Sequence, residues 1–245
     1  MQLESGGHVQ GADLSGAVFA ERDLAGTRFD GCVLRDVQLT GTCLQDARFH
    51  DCRIIRCRFA NADLRDALFE NCSLADDAGH VGAQFAFSQL DQARFEQCDL
   101  SFARIERSSL YGATLRGCNL IGAVFDRVDF SHALGRRLVK WAGTIAGCNL
   151  ELAELSDLRM PECELSGSRL REALLLDADL EGADLRGSDF TNAQMAGAKL
   201  ARADLRGAEL AGMLVKELGS VDGMTISADQ QFALLTALGI DVQPD

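Results

Sequence analysis

A chain of 245 residues with 47% apolar side chains is long enough to bury one sizeable core. Its formal net charge of −13 argues against direct nucleic-acid binding, because phosphates are held by clustered Lys and Arg. The opening residues MQLESGGHVQ lack the basic start and apolar run of a secretion signal, and no window approaches the ~18–20 apolar residues of a membrane span. The expected location is therefore the cytoplasm.

From Val9 onward the sequence keeps a period of five. Apolar residues fall at Val9, Leu14, Phe19, Leu24 and Phe29 and continue to Leu74. They resume at Phe85 and run to Phe130, then resume at Ile145 and run to Leu210. Every one of these centres is Leu, Phe, Ile, Val or Met. The residue two before each centre is small, with Arg22 and Leu158 as the exceptions. A typical unit is Ala183-Asp184-Leu185-Arg186-Gly187.

Period five suits neither a helix near 3.6 nor a flat strand at 2. It suits a coil that turns a corner every five residues and points two side chains inward, one large and one small. Four such sides make a square coil of about 20 residues, stacked at the strand spacing of ~4.8 Å. Eight of the nine cysteines occupy the small inward position: Cys32, Cys52, Cys57, Cys72, Cys98, Cys118, Cys148 and Cys163. There they read as small buried apolar residues and not as disulfide or metal partners. Cys43 sits one place before its centre and is expected to be more exposed.

Two lapses break the period. Between Leu74 and Phe85 the interval is 11, so residues 75–82 must bulge from the wall. Between Phe130 and Ile145 the expected centres are Gly135 and Lys140, neither of which can plug a core, so residues 131–142 are expected to project. The first loop offers Asp76, Asp77 and His80. The second offers Arg136, Arg137, Leu138, Lys140 and Trp141, the only tryptophan, taken as solvent-exposed. Aromatic and cationic side chains together are a common hot-spot composition, and loops on a rigid scaffold often carry recognition.

The repeat ends after Leu210. Ser227 and Gln230 have capping-box spacing, Ala228–Leu238 reads as a helix, and Gly239 suits its C-terminal cap. Phe232, Leu235 and Leu238 lie near one face with Leu234 flanking. Such a helix can cap the open end of a solenoid and pair with a second copy, so these four residues are the expected dimer contact. The domain division is 1–212 for the solenoid and 213–245 for the tail. The charge is uneven: 8 acidic and 8 basic residues in 75–144, but 18 acidic and 8 basic in 145–245.

The five-residue pattern resembles the pentapeptide-repeat family over residues 7–212. That resemblance implies an all-β solenoid, a right-handed quadrilateral β-helix with two projecting loops and a short C-terminal α-helix. The two intervals, the segment Cys98-Asp99-Leu100-Ser101 and the ending Leu234-Leu235-Thr236-Ala237-Leu238-Gly239-Ile240 resemble the Qnr proteins. The N-terminal stack is longer than in that group by about one coil. The Qnr resemblance implies a rod-like homodimer joined through its C-terminal ends, with an acidic surface shaped like duplex DNA. Such a protein binds DNA gyrase and topoisomerase IV and protects them from quinolones. Immunity to another gyrase poison of the microcin or albicidin type, or a scaffold role without a topoisomerase target, are alternatives that the sequence does not separate.

No catalytic chemistry is expected. The carboxylates before the centres, such as Asp63, Asp99 and Asp184, point outward, and a filled solenoid has no pocket in which acids converge. His8, His50, His80 and His132 are scattered without HExxH or CxxC spacing, so no metal, and likewise no cofactor, is expected.

Overall fold

The computed structural model describes residues 4–76, 80–134, 138–241 and 243. The chain winds as a four-sided solenoid in which each residue pairs in parallel with one a full coil onward, as His8 with Arg28 and Arg28 with Arg48. All the centres from Val9 to Leu74, Phe85 to Phe130 and Ile145 to Leu210 are buried.

The centres form four columns. Face 1 carries Val9, Phe29, Phe49, Phe69, Phe95, Leu115 and Ile145, under a seven-stranded parallel sheet. Face 2 carries Leu14, Leu34, Ile54, Leu74 and Leu100, joined by a two-stranded sheet and isolated bridges. Face 3 carries Phe59, Phe85, Ile105 and Phe125, under a four-stranded sheet. Face 4 carries Leu44, Leu64, Leu90, Leu110 and Phe130, held by isolated parallel bridges. All three sheets are parallel, and most strands are three residues long, because the chain must turn after each unit.

Ring stacking reports the coil spacing. Phe29, Phe49, Phe69 and Phe95 lie face to face with centroids 4.7, 4.6 and 4.7 Å apart, and Phe59 and Phe85 are 4.8 Å apart. These match the spacing of adjacent strands, ~4.7–4.9 Å. Phe59 meets Phe69 edge-on at 6.4 Å, tying neighbouring faces together across the narrow interior.

The inward small position is as confined as the spacing implies. Cys32, Cys52, Cys72, Cys98, Cys118 and Cys148 form one unbroken column, and each thiol donates to a carbonyl one coil back, as Cys52 Sγ to Phe29 O at 3.2 Å. Ser168 and Ser188 continue the same column with the same kind of bond. The serines show that the position selects size and a weak donor, not thiol chemistry. Cys57 and Cys163 are likewise buried, and Cys43 is the more exposed exception. No disulfide forms.

Corners come two residues after each centre, where the backbone adopts positive φ. Asp36, Asn61 and Asp177, with φ of 56, 52 and 56°, are typical occupants, since Asn, Asp and Gly tolerate the left-handed region best.

The terminal coil is closed by the tail. Ser220 and Thr225 bridge to Lys199 and Asp204, so the wall persists past Leu210 with one extra residue in the coil. The helix begins as a 3₁₀ turn at Ala228–Gln230 and continues as α-helix over Gln231–Ala237. Gln230 fastens it: its Oε1 accepts from the Ser227 backbone N–H at 2.6 Å, and its Nε2 donates to the carbonyls of Leu205 and Ala208 at 2.8 and 2.6 Å. Gly239, with φ +77°, ends the helix: its N–H donates to Thr236 O and that of Ile240 to Leu235 O, the paired bonds of a Schellman cap.

One expectation for this helix is corrected. Leu234 does not flank the packing face; it is the buried plug of the solenoid end. The helix approaches across the last coil, so the residue one turn after Gln230 meets the core. Leu234 is therefore turned into its own chain, while Leu235 is half-buried and Phe232 and Leu238 are exposed.

Candidate functional site: two loops at diagonal corners

The first loop leaves after the face 2 centre Leu74 and returns before the face 3 centre Phe85. Phe59 pairs with Phe85 and Phe69 with Phe95, so this coil is longer than its neighbours but no wall unit is lost. The bulge is a simple insertion at the corner between faces 2 and 3. The second loop leaves after Phe130 on face 4 and returns before Ile145 on face 1, which pairs with Leu115. The two loops therefore stand at diagonally opposite corners.

The neck of the first loop is closed by main-chain bonds. Ala75 bridges Gly82, the Asp76 N–H donates to Val81 O at 2.9 Å, and the Ala83 N–H donates to Leu74 O at 2.8 Å. Arg56, one coil back at the same corner, anchors it. Its Nη1 donates to Asp76 at 2.7 Å, while Nε and Nη2 clamp the Asp36 carboxylate at 2.7 and 2.6 Å. The hydrogen bonds it donates to Asp36 and Asp76 push the guanidinium above its ordinary value, and Arg56 holds Asp36 below the usual carboxylate range. On the far side the His80 ring meets Phe102 edge-on at 4.8 Å. Gly82 crosses directly over the backbone of Ser101–Ala103, where a Cβ would come within 2.3 Å of the Ala103 nitrogen.

The second loop is an antiparallel β-hairpin, Ser131–Leu134 with Leu138–Trp141, pairing Ser131 with Trp141 and His132 with Lys140. The insertion is two repeat units long, enough for two strands and a tip. The β-branched Val139 and aromatic Trp141, two apart on either side of Lys140, were the available sign of it. The His132 ring lies 5.0 Å from that of Tyr111.

Trp141 is not solvent-exposed as expected. It is half-buried against the core, and the Arg159 guanidinium lies 5.0 Å over its ring. The hairpin returns to the wall at that residue, so the indole packs onto face 4 instead of projecting. A groove of about 610 Å³ runs beside it, lined by Val139, Lys140, Trp141, Arg159, Asp179 and Glu181 among others.

Of the expected loop residues, Asp76 is held by Arg56 on one side of the first loop and His80 packs on Phe102 on the other, while Lys140 and Trp141 lie on the second strand of the hairpin. Asp77, Arg136 and Arg137 lie outside the described residues, as does the side chain of Leu138. The anchors Arg56, Phe102, Tyr111 and Arg159 were missed, because each is a wall residue whose role appears only when coils are stacked. At the tail, Phe232 and Leu238 are joined by Leu214 and Ile240 as exposed apolar side chains. Among the described residues, no group of three or more His, Cys, Asp or Glu is placed to hold a metal ion, and no helix is long and apolar enough to cross a membrane.

Models of the pentapeptide-repeat family match residues 8–77 (pentapeptide repeat region), 90–134 (nine copies of the repeat), and 148–187 and 173–212 (eight copies each). The gaps between matches fall on the two loops. The chain belongs to the pentapeptide-repeat family.

Within it, the chain is similar to Qnr proteins. It is 28% identical over 132 residues to the quinolone resistance pentapeptide repeat protein QnrB96 of Scandinavium goeteborgense, covering 54% of this chain and 59% of that one. The match thus spans about three-fifths of that relative's length. The structure of full-length QnrB1, a plasmid-mediated fluoroquinolone resistance protein, superposes with a TM-score of 0.75 at 26% identity, over 96% of this chain and 100% of that one. A trypsin-treated variant of QnrB1 gives 0.72 at 25% identity, over 97% and 99%.

Proposed function

We propose that this protein binds type II topoisomerase, DNA gyrase and topoisomerase IV, and protects it from quinolone antibiotics without catalysing a reaction. The observation that carries the reading is the full-length likeness to QnrB1, which spans 96% of this chain and 100% of that one.

The physical basis is a rigid acidic rod. Residues 145–245 carry 18 acidic and 8 basic side chains, which would steer that half toward a basic, DNA-binding groove. The loops supply contacts of fixed geometry: Asp76 and His80 beside the wall at one corner, and Lys140 and Trp141 along the hairpin at the other. The exposed Phe232, Leu238 and Ile240 at the capped end serve a twofold contact with a second copy. Such a dimer doubles the length of the rod.

Direct binding to purified gyrase tests the reading. Affinity should fall steeply with salt, because the Debye length shortens from ~10 Å at 0.1 M to ~3 Å at 1 M. Absence of binding at low salt would refute it.

A further inference from the structure

The two loops stand at diagonal corners, so two sides of the rod separate them: faces 1 and 2, or faces 3 and 4. Both loops lean toward the second side. The return limb of the first, Val81 and Gly82, overhangs Val37 and Cys57 at the edge of face 3 across a groove of about 300 Å³. The second lays Trp141 under Arg159 and beside Asp179, both on face 4.

Midway between them runs the corner joining faces 3 and 4. There Phe87 is 54% exposed with φ of 55°, a bulky aromatic in a left-handed corner where the preceding coil has Asn61. Arg107, one coil on, places its guanidinium 5.5 Å over the Phe87 ring and forms no ion pair among the described residues. Arg127 follows one coil further and, among the described residues, meets only the adjacent Asp126, at 3.8 Å. The opposite corner carries Asn71, Gln97, Gly117 and Gly147 at these levels, with no charge and no ring.

We propose that faces 3 and 4 form one recognition surface, with Phe87, Arg107 and Arg127 as a third contact between the loops, and that this ridge seats on an acidic patch of the partner protein beside an apolar recess. The occupant follows from charge. Two guanidiniums in line beyond an exposed ring, the nearer one over it, call for carboxylates beside an apolar contact, and aromatic and Arg side chains are enriched at interface cores. The inference rests on the topoisomerase reading and deepens it. The acidic coils after residue 145 would meet basic surface, while the neutral middle of the rod meets acid.

Binding of purified DNA gyrase at fixed salt tests it, with wild type, Phe87→Asn, the double variant Arg107→Glu/Arg127→Glu, and Gln97→Glu on the opposite corner. Phe87→Asn keeps the left-handed corner as Asn61 does one coil earlier, and circular dichroism melting confirms that each variant is folded. Both ridge variants should bind at least about tenfold more weakly, and Gln97→Glu within about twofold of wild type. Ridge variants within that twofold, or an equal loss in Gln97→Glu, would overturn the surface assignment and leave the topoisomerase reading standing. Tighter binding of the charge-reversed variant would overturn the acidic occupant. A wild type that fails to bind gyrase would overturn both readings.

Discussion

Gly82→Ala separates the position of the first loop from the integrity of the rod. The added Cβ would lie 2.3 Å from the Ala103 nitrogen, 2.5 Å from the Phe102 carbonyl carbon and 2.5 Å from the Ser101 carbonyl oxygen. Non-bonded carbon contacts sit at ~3.5–4.0 Å, so the overlap is about 1 Å. All three opposing atoms are backbone, held from behind by the buried Ala103, so the loop must lift instead. Overpacking of this kind costs ~1–3 kcal/mol, against ~5–15 kcal/mol for a typical domain. The rod therefore survives, and its melting temperature falls by only ~2–12 °C. The bond from the Asp76 N–H to Val81 O opens, and His80 withdraws from Phe102. Amide hydrogen exchange reads this directly: protection at Asp76 should drop while that of Leu100 and Leu120 is unchanged. Full protection at Asp76 in the G82A protein would show that the loop is not seated by this contact.

Trp141 is the only tryptophan, so its fluorescence reports the hairpin alone. Arg159→Ala should shift its emission to longer wavelength and increase acrylamide quenching; unchanged spectra would mean that the cation does not cover the ring. Asp63, Asp184 and Asp204 are held below the usual carboxylate range, first by hydrogen bonds from Arg65, Arg186 and Arg206 respectively. Lowered folded values give stability that is full above the unfolded value of ~3.9 and lost as pH falls through the folded values. Urea midpoints should thus be flat from about pH 7 to 5 and fall below about pH 4, less so in Arg186→Gln; a midpoint that rises on acidification would contradict this. Burial pushes the Cys57 and Cys163 thiols up to about 11 and about 12. At pH 8 a thiol reagent should label Cys43 quickly in the native protein and the eight buried cysteines only after unfolding; rapid native labelling of Cys57 would refute the closed wall. Phe232→Glu should convert a sedimenting dimer to a monomer without lowering the melting temperature, since Phe232 is 58% exposed in the single chain; a persistent dimer would exclude this end as the contact.

The solenoid was legible because its constraint is local and repeated. A centre every five residues and a small residue two before it specify which side chains point inward, and the buried columns follow. The lapses at residues 75–82 and 131–142 were legible for the same reason, as places where no side chain could plug the core. What was not legible depends on stacking. Arg56 reads as an ordinary outward arginine until Asp36 and Asp76 are seen one coil to either side. Trp141 reads as exposed until Arg159 is placed over it from the next coil. Leu234 and Leu235 differ by one position on a short helix, and the clamp at Gln230 decides which of them meets the core. The corner residues carried a usable signal that was passed over: Phe87 and Phe102 stand where the pattern otherwise favours Gly, Asn or Asp. One of them seats a loop, and the other is exposed between the loops.

Protection of gyrase from a quinolone is read by a supercoiling assay. Purified gyrase, relaxed plasmid and an inhibitory concentration of ciprofloxacin are titrated with wild-type protein and with a variant lacking residues 132–141, which restores the five-residue interval between Phe130 and Ile145. The wild type should restore supercoiling over a concentration range in which the hairpin-less rod, still folded by circular dichroism, does not. Failure of the wild type to restore supercoiling at any concentration would refute gyrase protection.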